Sequence, residues 1–149
     1  ESVEVMDRSG NFRRLTWEEM QFSYRHSILE DEGGIVVSAT FSLVPKAADE
    51  IRSTMQELMC RRRNSQPLDM PSAGSTFKRP VGGYAAELID RTGLKGYRVG
   101  GAAVSEKHAG FVVNLGGATS RDVKQLMEEV SCKVLAHTGI ELEPEVRIW

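Results

Sequence analysis

This 149-residue chain is poor in the features that most quickly classify a protein. It contains two cysteines, Cys60 and Cys132, which are too few for a metal cluster. Both fall within helical patterns, which favours free, buried thiols in a reducing compartment over a single disulfide. The formal net charge of −2 gives no electrostatic reason to expect nucleic acid or an anionic membrane as a partner. We therefore predict neither partner and no bound metal.

Long apolar runs and common catalytic motifs are also missing. No stretch approaches the roughly 20 apolar residues of a membrane span. The acidic, polar start differs from the basic and then apolar pattern of a secretory signal. No Walker, H-E-x-x-H, C-x-x-C or G-x-S-x-G motif occurs, and the glycines at 96, 100 and 101 do not form a dinucleotide fingerprint.

The composition is that of an ordinary soluble protein, with 40% hydrophobic and 27% charged residues. The length suits one domain, or one small domain and part of another. The chain starts without methionine, inside a predicted strand. We therefore expect a fragment or the visible part of a longer polypeptide.

Hydrophobic periodicity gives the elements of the first half. The first elements are a strand over 2–7, a turn over 8–11 and a returning strand over 12–15. A short helical turn follows, from a Thr-x-x-Glu capping box at 16–19. The last two are a strand over 35–44, with both faces at least partly covered, and a helix over 47–63. The helix carries one apolar stripe, formed by Ile51, Met55, Leu58 and Met59.

The second half begins with an aperiodic, proline-containing loop over 64–75, where we place a domain boundary near residue 68. The predicted elements that follow are a helix over 84–92, strands over 97–105 and 110–115, a helix over 120–138 that stops at Gly139, and a strand over 141–148. Strands and helices without strict βαβ alternation indicate an α+β fold.

Three separated segments resemble one known family in order and spacing. They are Phe22-Ser23-Tyr24-Arg25-His26-Ser27; the run PSAGSTFKRP at 71–80 with GLKGY at 93–97 and VSEKHAGFVVN at 104–114; and LEPEVR at 142–147. The chain resembles the C-terminal half of the flavin-dependent UDP-N-acetylenolpyruvoylglucosamine reductases, the MurB family. The PSAGSTFKRP run is similar to that of the shorter, second type, which lacks an extra substrate-covering loop.

The resemblance implies a domain organisation and a reaction. Residues 1–68 would be the C-terminal part of an α+β FAD-binding domain, and residues 69–149 a small substrate-binding domain with antiparallel strands and two main helices. The family's cytoplasmic enzyme uses NADPH to reduce FAD, which passes a hydride to UDP-N-acetylglucosamine enolpyruvate during peptidoglycan precursor synthesis. The cofactor-binding residues would lie mostly in the N-terminal FAD-binding portion of the same protein, so we expect the isolated chain to be inactive.

Three residues match the family's catalytic positions. Ser75 would protonate C2 of the enolpyruvyl group, because an enolate carbon is basic enough to take a proton from a weak acid. Arg25 would hold the substrate carboxylate through its planar guanidinium fork. Glu145 would act protonated, or through a hydrogen bond to a polarising group, since a bare carboxylate would repel the developing charge. The alternatives are a turn serine, a surface arginine and a surface Glu145–Arg147 ion pair.

Five further residues are predicted to contact substrate. Lys78 and Arg79 would approach the pyrophosphate, although other family members carry asparagine at the position of Arg79. His108 occupies a position where the longer type binds substrate with glutamine, and a structural or solvated histidine is an equal alternative. Tyr24 would pack beside substrate or serve in the core, and Arg147 would pair with Glu145 or reach substrate.

Two other functions remain open from the sequence. The chain would be a nucleotide-sugar-binding module if its substrate domain bound ligand without catalysis. It would be a structural or interaction domain if the chemistry had been lost. The joint presence of Arg25, Ser75 and Glu145 argues against the second alternative, because structural duty does not require that combination.

Overall fold

The computed structural model describes residues 1–148, which fall into two compact units divided between Glu50 and Ile51. The first unit contains β1 (Ser2–Met6), β2 (Phe12–Thr16), α1 (Ile28–Glu32) and β3 (Ile35–Thr40). The helix α2 (Ala48–Ser65) starts just before the division. The second unit continues with β4 (Ser72–Ser75), α3 (Ala85–Arg91), β5 (Arg98–Val99), β6 (Ala102–Val104), β7 (Phe111–Asn114) and α4 (Ser120–Thr138). Both units contain antiparallel sheets, as the α+β prediction required.

The first unit is built on a three-stranded antiparallel sheet in the order β2-β1-β3. A small core of Val5, Leu15 and Met20 lies beneath it. The β1–β2 connection is closed by Asp7, whose carboxylate accepts the N–H groups of Ser9 and Asn11 at 2.8 and 2.9 Å. The Asn11 hydrogen bond is the main reason that the pKa of Asp7 is lowered.

One prediction for the first unit needs correction. The strand predicted over 35–44 ends at Thr40, and all of its residues are exposed, including Ile35, Val36 and Val37. Because β3 lies at the edge of the sheet, apolar composition alone gave a wrong estimate of its burial. The capping box is present, with Thr16 and Glu19 exchanging hydrogen bonds. It closes the short helical turn that the sequence predicts, in which the N–H of Met20 donates to the carbonyl of Thr16 at 3.1 Å.

The second unit has a four-stranded antiparallel sheet in the order β4-β7-β6-β5, which packs with α3 and α4 around one core. Leu126, Val130 and Val134 of α4 are fully buried there. The sheet residues Ala102 and Val104 contribute to the same core.

The helix α4 has the bounds that its sequence predicts. At its start, Thr119 and Asp122 form a capping box, in which Thr119 Oγ1 accepts the N–H of Asp122 at 3.2 Å and Asp122 accepts the N–H of Thr119 at 2.9 Å. The backbone N–H of Thr119 is the main reason that the pKa of Asp122 is lowered. Gly139 ends the helix in the left-handed conformation, at a φ of 73°.

Three predictions about the second unit were wrong. The strand predicted over 97–105 is a hairpin of β5 and β6, turned at Gly100 and Gly101. A side chain at Gly101 would meet the backbone nitrogen of Ala118 at 2.5 Å, so glycine is required there. Residues 141–148 form one isolated bridge, Phe77 to Pro144, and no strand, whereas residues 72–75 of the predicted loop form β4.

Both cysteines and the apolar stripe of α2 are on the surface. Cys60 and Cys132 are free, but both are exposed, which corrects the expectation of buried thiols. The apolar stripe of α2 is also exposed, and Met55 keeps 64% of its surface accessible. Within the described residues, no helix is both long and apolar enough to cross a membrane.

Candidate active site

Ser75 is presented by a bulge at the end of β4. Ser72 lies opposite Val113 of β7 and Ser75 opposite Phe111, so three steps along β4 match two along β7. Gly74 occupies the bulge at a φ of +90°, a conformation that other residues rarely adopt. Bulges redirect side chains and are enriched beside active sites. Ser75 is exposed immediately after this one.

Thr76 connects Ser75 to Glu145. Thr76 is only 3% exposed, its N–H donates to the carbonyl of Gly110 at 2.8 Å, and its own carbonyl accepts the N–H of Glu145 at 2.8 Å. Glu145 is half-buried, and its Oε2 atom is shielded from solvent. The fold therefore brings two of the three predicted catalytic residues into neighbouring segments.

Lys78 follows Thr76 in the segment that is hydrogen-bonded to residues 143–145. Its N–H donates to the carbonyl of Glu143 at 2.8 Å, and its ammonium forms an ion pair with the Glu143 carboxylate. The side chain is 34% exposed. This neighbouring carboxylate would compete with an anionic ligand for the ammonium of Lys78.

Arg79 is held on the surface by Tyr84. Its guanidinium carbon lies 4.1 Å from the centroid of the Tyr84 ring, and its Nε donates to the carbonyl of Gly83 at 3.3 Å. Stacking of this kind orients the planar guanidinium. Lys78, Arg79, Glu141 and Glu143 are among the residues that line a cleft of about 350 Å³.

His108 has structural partners in this fold. Its Nδ1 accepts the backbone N–H of Gly110 at 3.1 Å, and its ring meets Phe111 edge-on with centroids 4.9 Å apart. A substrate contact would therefore have to use Nε2. Arg147, two residues after Glu145, is exposed.

Tyr24 and Arg25 belong to the first unit, at the tip of a tight turn. Ser23 and His26 close this turn with reciprocal backbone hydrogen bonds of 3.1 and 3.3 Å. Arg25 has a φ of +57°, which is uncommon for a residue other than glycine and costs about 1–3 kcal/mol. Its guanidinium carbon lies 5.8 Å from the Tyr24 ring centroid, and both residues are exposed.

His26 anchors this turn to α1. Its Nδ1 lies 3.4 Å from Glu30 Oε2, and its Nε2 lies 3.3 Å from Asp31 Oδ2. Strained backbone conformations persist only where the surrounding structure holds them, and they are enriched at functional sites. Arg25 is thus held in an uncommon backbone conformation by a turn that His26 ties to α1.

The sequence did not identify Ser72, Gly74 and Thr76 as members of the site. They lie within or beside the stretch interpreted as an aperiodic loop. The one available signal was Gly74, since an isolated glycine between strand-compatible residues indicates a bulge.

Comparison with known proteins places this chain in a family. Residues 66–149, more than half of the chain, match the family model described as the C-terminal domain of UDP-N-acetylenolpyruvoylglucosamine reductase, MurB_C. The chain belongs to this family.

Relatives of the MurB family align over nearly the whole chain. UDP-N-acetylenolpyruvoylglucosamine reductases of Caldanaerobacter subterraneus and Streptococcus pneumoniae are 52% and 46% identical over 99% of the chain, which covers 49% of each. The crystal structure of the reductase MurB from Thermus caldophilus matches with a TM-score of 0.82 and 41% identity, over 99% of this chain and 53% of that one. The chain thus spans about half the length of the curated relatives it matches. The α+β fold and the family resemblance are both confirmed.

Proposed function

We propose that the chain is the C-terminal half of an oxidoreductase that reduces UDP-N-acetylglucosamine enolpyruvate to UDP-N-acetylmuramate in peptidoglycan precursor synthesis. The observation that carries the proposal is the pairing of the bulge at Ser75 with the segment of Glu145, through the hydrogen bond from Glu145 N–H to the Thr76 carbonyl. Both residues lie in the part of the chain that matches the MurB family. Family membership and local geometry therefore support the same site.

Ser75 is the proposed proton donor. Reduction of the enolpyruvyl double bond at C3 leaves negative charge at C2 and on the adjoining carboxylate. C2 must then receive a proton, and an enolate carbon accepts one from a hydroxyl placed within hydrogen-bond reach. The exposed position of Ser75 after the bulge leaves its hydroxyl accessible to a ligand.

Arg25 and Glu145 are proposed to control the developing charge. The Arg25 guanidinium is permanently positive and can hold the substrate carboxylate through two parallel hydrogen bonds. Glu145 has one carboxyl oxygen shielded from solvent, which suits a group that acts protonated or through a hydrogen bond. Preorganised charges of this kind stabilise an oxyanion without reorganisation during the reaction.

The remaining contacts would orient the nucleotide sugar. Arg79 presents a guanidinium that stacks on Tyr84, and Lys78 presents an ammonium paired with Glu143; both are proposed to approach the pyrophosphate. We assign Tyr24 and Arg147 to the substrate because both are exposed beside the proposed catalytic residues Arg25 and Glu145 in the sequence. His108 would contribute through Nε2.

The described residues do not make a complete flavin site. The first unit has a cleft of about 620 Å³ whose apolar lining includes Trp17, Phe22, Val36 and Phe41. Such a lining suits a planar ring or apolar side chains, but in its described part no cationic side chain is available for a pyrophosphate. We propose that FAD, the hydride source with NADPH as reductant, is bound mainly by residues outside this chain.

The N-terminal FAD-binding portion of the same protein is the proposed partner of the exposed apolar surfaces. These include β3 and the α2 stripe, which would be costly to leave in water. The domain boundary near residue 68 and a cytoplasmic location remain part of this proposal.

The test is turnover by the full-length protein loaded with FAD. NADPH should be oxidised in the presence of UDP-N-acetylglucosamine enolpyruvate and not with UDP-N-acetylglucosamine, which lacks the enolpyruvyl group. Product formation would be followed by mass spectrometry. Binding of both compounds without turnover would contradict the proposal and favour a nucleotide-sugar-binding module.

A further inference from the structure

Side-chain hydroxyls form the hydrogen bonds that hold the bulge at Ser75. In a regular antiparallel ladder, backbone N–H and carbonyl groups would form them. Ala73 and Gly74 together lie opposite the single residue Val112. The carbonyl of Val112 accepts the hydroxyl of Ser72 at 2.8 Å, and its N–H donates to Oγ1 of Thr76 at 3.0 Å. Ser72 Oγ also accepts the N–H of Gly74 at 3.2 Å.

Val112 directs both of its backbone groups toward β4. On the opposite side of β7 it faces Val104, whose own N–H and carbonyl pair with Tyr97 and Gly96. Val112 and Val104 therefore form a non-hydrogen-bonded pair. Without the hydroxyls of Ser72 and Thr76, the N–H and the carbonyl of the half-buried residue Val112 would lose these partners.

The bulge also decides which side chain faces outward. Side chains alternate along a strand, so one extra residue exchanges the faces of all residues that follow it. Thr76 consequently points inward, at 3% exposure, while Ser75 is exposed. The backbone of Thr76 is fixed further by Gly110 and Glu145.

We propose that Ser72 and Thr76 are positioning residues for Ser75, acting through Val112. This inference rests on the proposed proton-donor role of Ser75. A reacting hydroxyl must lie about 3–3.5 Å from its target, and a displacement of about 1 Å costs on the order of a hundredfold in rate. Loss of either hydroxyl hydrogen bond loosens the bulge that carries Ser75.

The test uses Thr76→Val in the full-length, FAD-loaded protein, because valine keeps the shape and removes the hydroxyl. Flavin reduction by NADPH and substrate reduction by pre-reduced enzyme are measured separately in single turnovers. We expect substrate reduction to slow by about tenfold to a hundredfold, with flavin reduction unchanged. Thr76→Ser, which keeps the hydroxyl, should restore the rate. If Thr76→Val does not fold, Ser72→Ala makes the same test at an exposed position.

The matched control is Thr138→Val at the end of α4. Thr138 Oγ1 also bonds to the backbone, donating to Val134 and accepting from Ile140, but it is not part of the bulge. Its loss should lower stability and leave both half-reactions unchanged. An equal slowing of substrate reduction in this control would overturn the positioning role.

A Ser75→Ala background separates the two levels of the proposal. If Thr76 acts through Ser75, Thr76→Val adds no further slowing to Ser75→Ala. Equal slowing in both backgrounds, or a Thr76→Val enzyme as fast as the parent, would overturn the positioning role alone. A Ser75→Ala enzyme as fast as the parent would overturn the proton-donor role and the inference with it.

Discussion

The backbone N–H of Glu145 donates to the carbonyl of Thr76 at 2.8 Å. This bond links residues that are 69 positions apart in the numbering, and Thr76 directly follows Ser75. The bond joins the end of the bulged strand to the C-terminal segment, which otherwise forms no regular strand in the described chain. The bond therefore ties the two proposed catalytic segments to each other.

Gly74 should be required for both stability and rate. Replacing it with alanine puts a side chain at a φ of +90°, which costs about 1–3 kcal/mol. We expect lower thermal stability of the full-length protein and slower substrate reduction. Gly139→Ala, at a φ of 73° behind α4, is the control. It should lower stability without affecting the rate, and a comparable rate loss there would argue against a special role for the bulge.

Arg25→Lys should slow substrate reduction while flavin reduction by NADPH keeps its rate. Lysine retains the charge but loses the planar fork, and a hydrogen bond to a charged group is worth about 1.5–3 kcal/mol. A loss of about tenfold to a hundredfold is expected, measured in single turnovers. Arg91→Lys, on the exposed surface of α3, should behave as the parent. A fully active Arg25→Lys enzyme would contradict bidentate carboxylate binding.

The capping box of α4 should contribute stability that depends on pH. Asp122 has a folded-state pKa below its ordinary value of 3.8, mainly because it accepts the N–H of Thr119. Its stabilising effect is therefore fully present above pH 3.8 and is lost as the pH falls through the lower, folded-state pKa. Asp122→Asn should flatten the stability profile in that acidic range, as measured by urea unfolding.

Thr119→Ala should weaken the same cap at neutral pH. The loss of an N-cap hydroxyl costs about 1 kcal/mol. Unchanged stability in this variant would contradict the hydrogen bond between Thr119 Oγ1 and the N–H of Asp122.

The apolar stripe of α2 should contribute more to stability in the full-length protein than in the isolated chain. Met55 is 64% exposed here, so Met55→Lys should improve the solubility of the 149-residue chain. In the full-length protein, where we propose that the N-terminal portion covers this surface, the same change should lower stability. Gln56→Lys, at an exposed polar position of the same helix, is the control. Equal tolerance of both changes in the full-length protein would place the partner elsewhere.

The sequence predicted the elements whose signals are local. The helix α4 carries its own cap at Thr119, its own apolar period and its own stop at Gly139, and its bounds were correct. The hairpin at Gly100 and Gly101 was missed because two glycines inside an apolar run are compatible with a continuous strand until the close approach of Ala118 is known.

The candidate site was predicted only in part, for the same physical reason. Family motifs pointed to Ser75 and Glu145, but the bulge depends on Val112, which is 36 positions beyond Thr76. No local pattern contains that partner. Composition likewise could not decide whether β3 and the α2 stripe are buried in this chain. Apolar residues make a surface suitable for packing, but they do not show whether a packing partner is present.

The most direct test of the central claim is the Ser75→Ala variant of the full-length, FAD-loaded protein, followed through each half-reaction separately. Loss of a positioned proton donor typically costs about 10²–10⁴-fold, so substrate reduction should fall by that factor while flavin reduction by NADPH stays close to the parent rate. If both half-reactions fall together, or if substrate reduction is unaffected, Ser75 is not the proton donor and the assignment of this site is wrong.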